Sequence, residues 1–123
     1  MNLLPWLQRK WRAMVPGRVY ILGAMGTPVT TWVASRLPAA YRLTSRPPNY
    51  EAGWSVRWWW ITPPDIGLTL DHPESAYTVV RVAEGVPAGQ YRLECVYTRR
   101  SDGAEFRSAP FTVAVAPLTD GGV

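Results

Sequence analysis

Apolar and polar positions alternate with a period of two along most of the chain, the signature of strands that bury one face. Residues 90–99 (QYRLECVYTR) are the clearest case, with Tyr91, Leu93, Cys95 and Tyr97 on one side. Residues 54–62 (WSVRWWWIT) place Trp54, Val56, Trp58 and Trp60 one way and Ser55, Arg57, Trp59 and Ile61 the other. Further strands are predicted over 18–24, 27–35 (weakened by Pro28), 40–45, 66–70 and 76–83. The last run, 104–108 and 111–116, is interrupted at Pro110, which fits an edge strand or a bulge. Turn signals separate these runs: Pro47-Pro48-Asn49, Pro63-Pro64-Asp65, the DHPES stretch at 71–75 and GVPAG at 85–89. Ser101-Asp102-Gly103 reads as a hairpin turn of the Asp-Gly type. Roughly seven or eight short strands, spaced about 8–12 residues apart, predict a mainly β fold, an antiparallel sandwich or barrel.

The first 15 residues follow a different period. Leu4, Leu7, Trp11 and Met14 recur at helical spacing, with Gln8, Arg9 and Arg12 on the opposite side. Asn2 can cap such a helix, Pro5 fits its first turn, and Pro16-Gly17 ends it. A helix this short gains too little from its own hydrogen bonds to stand alone, so it must pack on the body or on a partner. The expected organisation is an amphipathic basic arm or helix over 1–17, a β-sandwich over 18–117 and a flexible polar tail over 118–123.

Residues 56–115 resemble the second half of an immunoglobulin-like domain. The tryptophan-bearing run SVRWWWI resembles strand C, AYTVVRVAEGVPAGQYRLECVYT resembles strand E, the E–F corner and strand F, and SDG followed by FTVAV resembles the F–G hairpin and strand G. Gly89-x-Tyr91 looks like a tyrosine corner. Cys95 lies four residues after Tyr91, where antibody-type domains have a spacing of two, and it has no partner cysteine. The resemblance is therefore to the disulfide-free immunoglobulin-like domains of bacteria and tailed phages. It implies an immunoglobulin-like β-sandwich that binds or builds rather than catalyses.

Composition narrows the chemistry. One histidine (His72) and one cysteine (Cys95) in 123 residues leave no histidine cluster, cysteine-rich zinc site or intrachain disulfide. No P-loop, dinucleotide fingerprint, nucleophile elbow or zinc-protease motif occurs. Cys95, on an inward face, reads as an inert small hydrophobe. His72, between Asp71 and Glu74, reads as part of a solvated loop rather than a metal site. The expectation is a non-enzyme with no catalytic residues, cofactor or metal.

Charge suggests how such a protein would bind. Residues 1–50 hold seven basic residues and no acidic one, whereas residues 51–123 hold six arginines and nine carboxylates. A basic front half suits docking on an acidic surface, although twelve arginines among thirteen basic residues can equally be a solvated face. No run approaches the roughly 20 apolar residues of a transmembrane helix. The N-terminus does not read as a secretion signal, because Arg9, Lys10 and Arg12 follow the apolar residues instead of preceding them.

The candidate contact residues are Leu4, Leu7, Arg9, Lys10, Trp11, Arg12 and Met14 in the arm, and Trp59 on the body. An outward tryptophan marks an interface; the plainer alternative packs Trp58, Trp59 and Trp60 into the core or under the N-terminal segment. Three functions compete. The first is a tailed-phage virion component, decorating a capsid or sitting in a tail or head–tail region, assembled in the host cytoplasm and docked on protein subunits or on further copies of itself. The second is a carbohydrate-binding module that stacks sugars on exposed tryptophan. The third is a peripheral binder of anionic membrane or nucleic acid through residues 1–50; the lack of lysine clusters and of basic–aromatic interleaving weakens its nucleic-acid form.

Overall fold

The structure is a computed structural model, and it describes residues 18–49, 53–62 and 66–117. The predicted N-terminal helix, with Leu4, Leu7, Arg9, Lys10, Trp11, Arg12 and Met14, lies outside the described residues, as does the predicted tail over 118–123. The described residues form nine strands and no helix. In chain order these are β1 (Tyr20–Leu22), β2 (Thr31–Ala34), β3 (Ala39–Arg46), β4 (Trp54–Trp60), β5 (Leu68–Asp71), β6 (Tyr77–Val82), β7 (Gly89–Arg99), β8 (Glu105–Arg107) and β9 (Phe111–Val115). One sheet has the order β1-β3-β6-β5; the other has β2-β9-β7-β4, with β8 also paired to β7.

The period-two pattern explains why these residues make these sheets. Along β7, Tyr91, Leu93, Cys95 and Tyr97 are buried, and their rows meet Leu43 of β3 and Val80 and Val82 of β6 in one apolar cluster. That cluster draws on both sheets, so they pack face to face. Tyr41 of β3 is the visible joint: its ring stacks on Trp32 of β2 at 5.1 Å and on Phe111 of β9 at 6.4 Å. Trp58, Tyr91, Leu93, Cys95 and Val113, the inward residues of the best-patterned strands, are all at most 7% exposed.

The expected all-antiparallel pairing is corrected at β2, which runs parallel to β9 from Thr31↔Thr112 to Ala34↔Val115. Pro28 supplies the reason. It has no N–H to donate, so the run expected over 27–35 cannot continue as one ladder strand. A turn closed by Gly23 N–H to the Thr27 carbonyl (3.0 Å) ends β1, and the chain re-pairs in the second sheet. After that turn Pro28 bridges Leu22 in the antiparallel sense, and the chain then leaves β1 for β9.

Two turns refine the pattern. Between Val96↔Arg107 and Leu93↔Phe111, β7 supplies Glu94 and Cys95 while the facing chain supplies Ser108, Ala109 and Pro110. That extra residue is a bulge, and it accommodates a proline where the ladder is broken. At Ser101-Asp102-Gly103 the hairpin is wider than a two-residue Asp-Gly turn. Arg99 N–H bonds the Ala104 carbonyl (2.8 Å), which leaves residues 100–103 as a four-residue loop. Asp102 acts there as a cap, accepting from Ala104 N–H at 3.0 Å and from the Arg99 guanidinium on both carboxylate oxygens. The Arg99 hydrogen bonds, then the Ala104 N–H, hold the Asp102 carboxyl below its ordinary range.

Candidate functional site

The outer face of the second sheet carries the most specific side-chain arrangement among the described residues. Alternation along β4 turns Trp59 outward, and alternation along β7 turns Glu94 outward; the register sets the two opposite each other. Trp59 Nε1 donates to Glu94 Oε1 at 2.8 Å. Arg107 Nη1, from β8, donates to the same oxygen at 2.7 Å, and its guanidinium carbon lies 5.7 Å from the centre of the Trp59 ring. Arg107 Nη2 also approaches Glu105 at 3.6 Å. The Glu94 side chain is only 10% exposed although it carries a carboxylate, so both donors are needed to replace water around it. The indole is thereby fixed by its own N–H and by an arginine beside its ring, rather than left to rotate on the surface.

Trp59 is the one predicted contact residue within the described chain; the seven in the arm lie outside it. It is half-buried and outward, as the alternation indicated. Trp58 is core, and Trp54 and Trp60 pack against the core from the inner side. Glu94 and Arg107 were not singled out from the sequence. The period-two pattern of β7 does place Glu94 outward, but its meeting with a tryptophan 35 residues away depends on a strand register that no local signal encodes.

The residues around His72 are joined by ion pairs and ring contacts. Asp71 Oδ2 takes Arg81 at 2.7 Å and Glu74 Oε1 takes Arg57 at 3.3 Å, so both carboxylates are drawn to arginines. The imidazole instead lies 5.3 Å from the Tyr77 ring, on which Arg42 also sits at 5.0 Å. The loop that carries His72 has a second task. Pro73 accepts from Trp58 N–H at 2.7 Å and Ser75 accepts from Trp58 Nε1 at 2.8 Å, so residues 72–75 are fastened onto β4.

Cys95 is enclosed in the core, and burial pushes its thiol from 9.0 up to about 12. Tyr97 is raised for the same reason. A thiol reagent at about pH 8 is expected to leave the native protein unlabelled and to modify Cys95 once denaturant is added. Rapid labelling of the native state would contradict the inward placement. The raised thiol stabilises the fold fully below about pH 9, and that contribution fades as pH climbs towards 12, because the unfolded chain ionises first.

Among the described residues, no helix is long and apolar enough to cross a membrane. No family model matches the chain. No curated protein matches it. Among solved structures it is similar to a nucleoside hydrolase-related hypothetical protein from Saccharophagus degradans that is associated with carbohydrate metabolism. The two share 11% identity and superpose with a TM-score of 0.61, over 80% of this chain and 26% of that one. The chain thus spans about a quarter of that protein's length, and a likeness at this identity concerns the fold alone.

Proposed function

We propose that the chain is a non-enzymatic immunoglobulin-like sandwich that docks on protein subunits of a larger assembly, with a tailed-phage virion as its setting. The observation that carries this reading is the strand pairing. The orders β1-β3-β6-β5 and β2-β9-β7-β4 correspond to the A-B-E-D and A′-G-F-C sheets of immunoglobulin-like domains. The corner before β7 matches too, because Tyr91 hydroxyl donates to the Pro87 carbonyl at 2.7 Å, four residues upstream. Immunoglobulin-like domains mostly bind or build, and here the candidate reactive groups are otherwise engaged: Cys95 is enclosed and protonated, and the carboxylates beside His72 hold arginines. The virion setting rests on the sequence, through the lone cysteine and the basic amphipathic pattern of residues 1–17.

In this reading the body contact is the face around Trp59, and residues 1–17 form the second attachment. A pre-ordered indole loses little side-chain entropy on docking, which suits a permanent protein contact. The second reading, a carbohydrate-binding module, draws on the same indole and on the similar protein's association with carbohydrate metabolism. It is the weaker one, because Arg107 occupies space above the ring on which a sugar would stack.

Co-expression with the products of the neighbouring genes tests both. The full chain is expected to co-sediment with a particle, and Trp59→Ala and a chain lacking residues 1–17 are each expected to lose incorporation while keeping the β-type circular-dichroism spectrum. Saturable binding on a glycan array, abolished by Trp59→Ala, would favour the carbohydrate reading instead. Normal incorporation of both variants would sink the docking proposal.

A further inference from the structure

Among the described residues, β4 is an outer strand of its sheet, with β7 on one side and no strand on the other. Hydrogen bonds show which of its backbone groups face outward. The Gly53 carbonyl accepts from Arg100 N–H at 2.9 Å and Ile61 N–H donates to the Arg92 carbonyl at 2.8 Å, so the odd-numbered residues face β7. Trp54, Val56, Trp58 and Trp60 therefore face away from it. Trp58 N–H is taken by Pro73, which closes that position in the far half of the edge. At the near half, the N–H and C=O groups of Trp54 and Val56 have no partner among the described residues. They border a shallow cavity of about 510 Å3, with Arg57 and Glu74 at one end and Arg100 at the other. An open strand edge of this kind is a template for another strand.

We propose that a second copy of this chain fills this edge, with the two β4 strands antiparallel about a two-fold axis at Ser55. Only outward-facing residues can exchange hydrogen bonds across such a pair. Trp54 then pairs with Val56 of the second copy, and Val56 with its Trp54, which uses every open group at the near half. A register centred on Val56 would instead set Trp54 against the second copy's Trp58, whose N–H is already closed off by the loop of residues 72–75.

Side chains and charges fit the two-fold. Arg57 falls opposite Gly53 of the second copy and Ser55 opposite its own counterpart, so no like charges face each other directly. The end of the cavity that holds Glu74 meets the end that holds Arg100 of the second copy, and the reverse contact repeats on the other side of the axis. The arrangement is isologous and closes at two copies. It joins the two second sheets into one continuous sheet and places both Trp59 faces on the same side.

The axis supplies a direct test. Facing residues at a position not hydrogen-bonded across the pair have Cα atoms about 4.5 Å apart, within the ~4.4–6.8 Å span of a disulfide. Ser55→Cys is expected to convert fully to a covalent dimer under mild oxidation, while Glu84→Cys, in the exposed turn before β7, stays monomeric under the same conditions. Cys95 is buried and does not compete. By light scattering the unmodified protein is expected to show twice the monomer mass, falling to the monomer on dilution. Val56→Pro deletes one outward N–H without touching the β7 ladder, and is expected to be monomeric with an unchanged circular-dichroism spectrum. The proposal is overturned if the unmodified protein is monomeric at all concentrations, or if Ser55→Cys cross-links no faster than Glu84→Cys; the edge would then be left for the strand of a different protein.

Discussion

Trp58→Ala is expected to lower the stability of the fold by roughly 3–5 kcal/mol, the range for deleting a buried large aromatic side chain. Trp58 is 2% exposed and packs in the cluster shared by the two sheets. It also fastens residues 72–75, through its backbone N–H to Pro73 and its indole N–H to Ser75. Truncation removes the ring and the indole donor together, leaving a cavity and a Ser75 carbonyl without its partner. Against a typical domain stability of about 5–15 kcal/mol this is a large fraction. Trp58→Phe separates the two contributions: it keeps much of the ring volume and loses the donor, so a cost of about 1–3 kcal/mol is expected. Urea denaturation followed by far-ultraviolet circular dichroism reads both variants. A Trp58→Ala midpoint within error of the unmodified protein would remove Trp58 from the core.

Most of the strands were legible because each buries one face, and burying one face writes a period of two into the sequence. The inward set Tyr91, Leu93, Cys95 and Tyr97 could be read in that way, and so could the outward position of Trp59. The interruption at Pro110 was legible for a different reason, since a residue without an N–H can sit in a ladder only at an edge or a bulge. What could not be read was pairing. The parallel partnership of β2 with β9 joins residues 81 positions apart, such as Thr31 and Thr112, and no local pattern specifies it. The Trp59–Glu94–Arg107 set has the same character: each residue is ordinary in its own strand, and only the register makes them a unit. Asp102-Gly103 misled at shorter range. The dipeptide signals a tight turn, but Asp102 found an arginine and an N–H to cap, and the loop widened around it.

Tyr91→Ala is expected to cost about as much as the tryptophan truncation, ~3–5 kcal/mol, and Tyr91→Phe to cost about 1–3 kcal/mol. The ring lies at the start of β7, 7% exposed within the shared cluster, and the hydroxyl reaches back to the Pro87 carbonyl at 2.7 Å. The two variants therefore separate packing from the corner hydrogen bond. In Tyr91→Phe the packing is retained and the Pro87 carbonyl loses its donor, which loosens the turn that brings the chain from β6 across to β7 in the other sheet. Hydrogen exchange should accordingly quicken over residues 83–90 in Tyr91→Phe, while the β7-facing amides of β4 and those of the middle of β7 stay protected. Tyr91→Ala should lower protection throughout, because the ring is shared by both sheets. If Tyr91→Phe were as stable as the unmodified protein and its exchange pattern unchanged, the hydroxyl bond would be incidental to the turn, and the corner would be held by packing and by the chain geometry at Gly89 alone.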